Sequence, residues 1–213
     1  MPEYQVTLSG LLNFEIRSLF GRLFLDSKPK LQNHSNKHFL HLGCGSLKLD
    51  NWINADFFTF RGNSKPDWML DLRFPLNCDN NVWDGVFTEH TLEHLYPDQA
   101  QKLLQELYRT MKPGAWLRVT VPDLKKYVAY YTGDKVNEHF NLRGTGCEAV
   151  RSLTQNYFHI SLYDNLVLEN CLKKSGFVNI REVNFMEGVD ISLLKDKEER
   201  AWETLYMEAQ KSV

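Results

Sequence analysis

The stretch KHFLHLGCGSLKLDNWINAD, residues 37–56, decides the fold. A short apolar run, His38–Leu42, ends at Gly43, and a second, Trp52–Asp56, closes on a carboxylate. An apolar strand, a glycine-bearing loop and an acidic strand end open a nucleotide-binding crossover. The spacing departs from the dinucleotide form. GxGxxG would need glycine where Lys48 stands, and Asp56 follows Gly45 by only 11 positions (56 minus 45), against about 20 in that fingerprint. No GxxxxGK[ST] occurs. Pyrophosphate binding, which uses the dipole of a full helix behind the loop, is therefore disfavoured. A ligand without phosphate needs less. Gly43 and Gly45 let backbone approach an uncharged or zwitterionic group. Asp56 can accept from both ribose hydroxyls, and Asp71 from an adenine amino group. A sulfonium nucleoside with an amino-acid tail fits this set.

Outward from this stretch, apolar runs predict strands over Asp67–Leu72, Val82–Thr88, Ala115–Val121 and Phe177–Phe185. Leu103, Leu104 and Leu107 share one face of a helix over Pro97–Met111. It is expected to stop in a turn at KPG, residues 112–114. Helices are also predicted over Leu124–Tyr131 and Leu162–Ser175, and a charged turn or short helix over Lys195–Arg200. Glu203–Gln210 suits a helix by composition and a strand by alternation. Strands alternating with helices imply an α/β fold with a mainly parallel sheet, whose function sits at the strands' carboxyl ends.

Upstream, Leu8, Leu11, Leu12, Ile16, Leu19, Phe20, Leu23 and Phe24 recur at helical spacing. This helix either packs on the domain or contacts a second copy or a membrane surface. Residues 27–37 are polar and aperiodic, a linker. The chain is thus divided into residues 1–36, helix and linker, and a domain over 37–213. Within that domain, residues 133–160 read as irregular, rich in Asn, Gly and aromatics, and are expected to form a substrate-binding loop or lid. Arg143, Arg151, Asn156, Tyr157 and His159 supply its polar groups.

Bulk properties narrow the classes further. The 213 residues are 43% apolar, enough for one domain with a real core. Basic residues number 25 and acidic residues 27, so no excess of positive charge favours a nucleic-acid partner. Cys44, Cys78, Cys147 and Cys171 form no CxxC pair, which reads as free thiols in a reducing, cytoplasmic setting. No apolar run approaches the roughly 20 residues of a membrane span.

HLGCGS, NWINAD, DLRFPL, DNNVWDGVFTEHTLEHL, LYRTMKPGAWLRVTVPDL and ETLYMEAQK together resemble the class I S-adenosylmethionine-dependent methyltransferases. The resemblance runs from about Lys37 to Lys211 and is nearest to a compact subgroup whose second strand reads G-W-x-N-x-D. It implies a Rossmann-like three-layer sandwich with a mixed seven-stranded sheet in the order 3-2-1-4-5-7-6. The last strand would be antiparallel, and the helix after the first strand shortened. Glu203–Gln210 then becomes a strand. The cofactor implied is S-adenosylmethionine. Gly43, Cys44 and Gly45 would line its methionine moiety, Asp56 its ribose, and Asp71 and Leu72 its adenine. Thr88 and Glu89 would sit beside the sulfonium. His41 and Leu47 stand where the family often has an acidic residue and a third glycine.

Methyl transfer from a sulfonium needs alignment above all. A hydroxyl acceptor adds a need for a base, and histidine is the natural one. His90, His94 and His159 are the candidates, each weighed against a structural role in shaping its loop. His90 and His94 are spaced HxxxH, but the sequence offers no HExxH and no obvious third ligand, so no metal is expected. Asp123 is read as a helix N-cap or a crevice residue, and Glu93 as a substrate contact or helix-start charge. The acceptor expected is a small molecule or glycan. A homodimer through the N-terminal helix is the partner expected beyond it.

Overall fold

Leu40, Leu42, Ala55, Val86, Leu117, Val119 and Val121 are fully buried, and every one of them lies on a strand. Along each strand alternate side chains face opposite sides of the sheet, which fixes the layers. The computed structural model describes residues 7–31, 37–58, 65–155 and 158–213. Seven strands form one sheet: β1 (Phe39–Leu42), β2 (Ile53–Asp56), β3 (Trp68–Met69), β4 (Trp83–Glu89), β5 (Met111–Pro122), β6 (Val178–Val183) and β7 (Thr204–Gln210). Their order is β3-β2-β1-β4-β5-β7-β6. β1 to β5 are parallel, and β7 runs antiparallel between β5 and β6. This is the Rossmann-like methyltransferase topology expected from the resemblance, and it resolves the ambiguous tail as β7.

Among the described residues five α-helices accompany the sheet: α1 (Leu8–Phe24), α2 (Pro97–Thr110), α3 (Leu124–Thr132), α4 (Gly146–Gln155) and α5 (Asn165–Lys174). α2 begins at Pro97, and the Gln99 side chain accepts the Tyr96 amide at 3.1 Å, satisfying one orphan donor of the first turn. Its stripe of Leu103, Leu104 and Leu107 is buried on one sheet face, beside Leu168 and Leu172 of α5.

The opposite face shows what replaces the missing crossover helix. β1 and β2 are adjacent and parallel, yet the 43–52 connection holds turns and no helix. Trp52 stacks on Phe39 at 5.0 Å and, with Leu49 and Phe87, covers the sheet locally. Leu193, from a 3-10 turn (Ile191–Leu193) between β6 and β7, fills the remainder. A Cβ on Gly85 would lie 2.9 Å from the Leu193 side chain, so the glycine permits that approach. Arg118, fully buried on β5, holds this connection down. Its Nε donates to Asp196 at 2.7 Å, and Nη1 donates to the Glu187 carbonyl at 2.8 Å and to Glu208 at 3.2 Å. Nη2 donates to Asp196 and to the Asn184 carbonyl.

Three sequence expectations are corrected. KPG does not end α2 in a turn. It lies inside β5 as a bulge, because Trp83 pairs Met111 while Gly85 already pairs Trp116. Gly114 takes φ +80° there. Residues 133–160 are not irregular throughout: a 3-10 helix (Glu138–Arg143) and α4 pack Phe140, Ala149 and Leu153 against Tyr127 of α3. Asn156 and Tyr157 lie outside the described residues.

The third correction concerns α1. Thr7 caps it by accepting the Gly10 amide at 3.1 Å, but its apolar stripe does not pack on the domain. Leu8, Leu11, Leu12, Ile16, Leu19, Phe20, Leu23 and Phe24 are all exposed. The helix docks by its polar side, burying Ser18 and Gly21. Ser18 donates to Asp71 at 2.6 Å, Arg17 to the Phe58 carbonyl at 3.0 Å, and Arg73 to Glu15 at 2.5 Å. A Cβ on Gly21 would fall 2.2 Å from the Phe58 ring. The apolar faces of the sheet are already covered by other elements, so the surface α1 meets is one of charges and aromatic rings, with Phe14 stacked on Phe57 at 4.4 Å and Arg22 over the Phe74 ring. Among the described residues no helix is long and apolar enough to cross a membrane.

Candidate functional site

The loops after β1, β2 and β4 converge at the carboxyl end of the sheet. Gly43 and Cys44 donate their amides to the Ala55 carbonyl at 2.9 and 3.1 Å, tying the first loop to the end of β2. Gly43 takes φ +73°, and a Cβ there would meet Thr91 Oγ1 at 2.0 Å. Glycine is thus required where the β1 and β4 loops press together. Gly45 takes φ +57°, and a Cβ there would meet nothing within 4 Å. Its amide donates to Asp56 Oδ2 at 2.5 Å, and Asp56 Oδ1 accepts the Phe57 amide at 2.7 Å. The carboxylate is therefore fixed at the lip of the glycine loop, with acceptor sites left over for hydroxyl donors.

The other cofactor candidates are placed less simply. Cys44 is buried, and burial pushes its thiol up to about 12, so it stays a neutral apolar liner. Asp71 is buried at the foot of α1, where it accepts from Ser18, from the Arg73 amide and from the Arg73 guanidinium. Burial raises its carboxyl, but these hydrogen bonds outweigh that and hold it below the usual range. Leu72, half-buried, packs at the edge of the main core. Thr88 is buried at the end of β4, and its hydroxyl has no hydrogen-bond partner among the described residues. Glu89 is also buried; Oε1 accepts the Lys197 amide at 3.1 Å and Oε2 lies 3.4 Å from the Lys197 ammonium. Asp123 caps α3, accepting the Lys125 amide at 3.0 Å.

The three candidate histidines converge on a residue the sequence left ambiguous. His90 turns the chain out of β4 with φ +49°, an unusual conformation for a residue bearing a Cβ. Its Nε2 lies 2.8 Å from the Thr204 hydroxyl and its Nδ1 3.5 Å from Glu93 Oε1. A 3-10 turn (Leu92–His94) then drives Glu93 into the interior. The Glu93 carbonyl accepts the Ile160 and Ser161 amides at 2.7 and 3.0 Å, which fastens the segment carrying His159 to the β4 loop. His159 Nε2 lies 3.8 Å from Glu93 Oε1, and the His94 and His159 rings are 4.9 Å apart, edge to face.

Electrostatics at this cluster are governed by burial. Burial holds His90 well below its ordinary value and brings His159 down to about 4, the neighbouring His94 adding to the latter. Both rings are neutral near pH 7. His159 therefore donates Nδ1–H to the Leu153 carbonyl at 2.8 Å and turns an acceptor nitrogen toward Glu93. Glu93 is wholly buried, which pushes it up to about 8, and neither carboxylate oxygen has a hydrogen-bond partner among the described residues. The sequence found no third ligand to join an HxxxH pair. The fold supplies a different trio, Glu93, His94 and His159, with one ligand atom from each within 4.8 Å of the others. Glu93 was legible only as a charge near a helix start; its burial depends on the turn that follows His90.

The comparisons with known proteins bear on the fold. No family model matches the sequence. No curated protein matches it. Solved structures do match. A SAM-dependent methyltransferase from Archaeoglobus fulgidus is 15% identical, with a TM-score of 0.52, over 96% of this chain and 100% of that one. A SAM-dependent methyltransferase from Thermotoga maritima is 14% identical, with a TM-score of 0.51, over 95% of this chain and 96% of that one. A third, from Methanosarcina mazei, is 16% identical, with a TM-score of 0.50, over 83% and 92%. At such identities the likeness is one of fold. The chain has the seven-stranded mixed sheet of SAM-dependent methyltransferases.

Proposed function

We propose that the protein is a class I S-adenosylmethionine-dependent methyltransferase acting on a small-molecule or glycan acceptor, at oxygen. The observation that carries this reading is the Gly45–Asp56 pairing: a carboxylate held by a loop amide at the carboxyl end of β2, beside a glycine facing open space. The ribose and methionine ends of the cofactor fit these residues. Asp56 would take the ribose hydroxyls, Gly43 to Gly45 the methionine tail, and Thr88 and Glu89 the sulfonium end. At the adenine end Leu72 would pack the base, and its amino group would share Asp71 with Ser18 and Arg73. The bound cofactor supplies an activated methyl group. Aligning the acceptor and taking its proton fall to the chain. His94 and His159 are assigned to that proton, with His90 behind them. Residues 133–160 are assigned to the acceptor, and the exposed stripe of α1 to a homodimer contact. The setting assigned is cytoplasmic, and no feature favours a nucleic-acid partner.

Calorimetric titration with S-adenosylhomocysteine tests the reading. Micromolar binding by the parent, lost in Asp56→Ala, is the expected result. Absence of binding by the parent would remove the donor site from the proposal. A second reading, a non-catalytic relative that keeps the fold for binding or scaffolding, draws on the engagement of Asp71 by Ser18 and Arg73 and of Glu89 by Lys197. It predicts that no donor binds at millimolar concentration.

A further inference from the structure

Glu93 poses a physical problem. A carboxyl group in the interior without a hydrogen-bond partner is unfavourable both as an ion, which loses its hydration, and as a neutral group left unsatisfied. Both of its oxygens are in that position among the described residues, and the side chain is only 2% exposed. Nothing in the sheet's packing demands an acid there, since Leu92 and Leu95 on either side are ordinary core residues. What surrounds the carboxylate is imidazole: His159 Nε2 at 3.8 Å and, within 4.8 Å of both, an imidazole nitrogen of His94.

Both rings carry the outer contacts that metal-binding histidines use. His159 Nδ1 donates to the Leu153 carbonyl at 2.8 Å, and His94 Nδ1 approaches the Phe158 carbonyl at 3.4 Å. The His159 bond fixes its ring and turns Nε2 toward Glu93. We propose that Glu93, His94 and His159 form a binding site for a divalent transition metal of the zinc class. Two imidazoles and one carboxylate are the three-ligand set of zinc sites that keep a fourth position open. Bonds of about 2.0–2.2 Å would set the ligand atoms roughly 3.3–3.5 Å apart. The cluster must therefore contract by a few tenths of an ångström at His159 and by up to about 1.3–1.5 Å at His94, through rotation of a ring that is solvent-exposed. That exposure also gives the ion its route in from solvent. An acceptor hydroxyl bound at the fourth position would ionise more readily and release its proton to solvent, with His94 and His159 then serving as metal ligands in place of the base. This role rests on the methyltransferase reading; metal binding does not.

The experiment uses the full chain, free of any affinity tag and treated with chelator, titrated with cobalt(II) as a visible probe and then with zinc(II) in competition. The expected result is about one equivalent of cobalt with the absorption of a four- or five-coordinate site, displaced by zinc. Glu93→Gln and His94→Ala should each weaken binding by at least about 10–100-fold. Both should keep the parent's circular dichroism and its affinity for S-adenosylhomocysteine, which separates this site from the donor site. If Glu93→Gln does not fold, His94→Ala, an exposed change, decides alone. No saturable binding by the parent, or parental affinity in a folded variant, overturns the proposal.

Discussion

Two of the buried ionisable centres in this protein, around Arg118 and around Glu93, are built in opposite ways. Around Arg118 every donor of the guanidinium is used, and Asp196 and Glu208 accept further bonds from the Met186 and Val189 amides and from Arg181. Around Glu93 the carboxylate receives no hydrogen bond among the described residues, and the imidazoles of His90 and His159, both held neutral by burial, lie 3.5 and 3.8 Å from it. The first centre is complete and does structural work: it pins the β6–β7 connection over the face where a crossover helix is missing. The second is incomplete without a further species. A buried charge that is fully satisfied marks architecture, and one that is left open, at the carboxyl end of a parallel sheet, marks chemistry.

The sharpest way to break this contrast is Arg118→Met. It strands two buried carboxylates, and we expect a loss of about 3–5 kcal/mol in urea unfolding. A loss below about 1 kcal/mol would show that the centre is dispensable.

His41, buried on β1 with one hydrogen-bond partner among the described residues, stands between the two cases. Its Nδ1–H donates to Asn54 Oδ1 at 3.1 Å, and burial lowers it from 6.5 to about 4. The unfolded chain binds this proton first on acidification, so the contribution is whole above pH 6.5 and drains away as pH falls toward 4. The full drop is about 3 kcal/mol. His41→Gln should flatten the stability–pH profile across that window by up to this amount. Parallel profiles for the two proteins would remove His41 from the account.

Glu93→Gln comes third. In metal-free protein at pH 7 it removes an acid that burial pushes from 4.5 up to about 8, so the variant should gain up to about 3 kcal/mol of stability, a gain that disappears as pH falls toward 4.5. A loss near that of Arg118→Met would mean that Glu93 is a structural ion after all. The smallest effect belongs to the exposed stripe of α1. Leu12→Glu with Leu19→Glu should alter stability by less than about 0.5 kcal/mol each, as surface changes do. Gel filtration of the double variant then tests the dimer contact separately: a parent dimer that becomes monomeric supports it, and an unchanged elution volume counts against it.

What the sequence determined by itself was the order of elements and the identity of the loops. Apolar runs of strand length, the stripe of α2 and the spacing of Gly45 to Asp56 are local patterns, and each survives in the structure because burial of a sheet face or helix stripe rewards it wherever the element lands. The tail was open on periodicity alone; the resemblance read it as a strand, and its place between β5 and β6 is a property of the assembled sheet. α1 shows the limit most plainly. Its periodicity gives a helix with an apolar face, yet only the tertiary structure reveals that the domain's own faces are already covered and that α1 docks through Ser18, Gly21 and the Glu15–Arg73 pair. The same holds at the candidate site. His90, His94 and His159 were legible as residue types near strand ends. Their meeting at Glu93 depends on a left-handed His90, a 3-10 turn and two backbone bonds from residues 160 and 161, none of which leaves a pattern in the sequence. Short-range regularities are written along the chain. Which faces remain open, and which distant groups share one buried point, is settled only when all the layers compete for the same space.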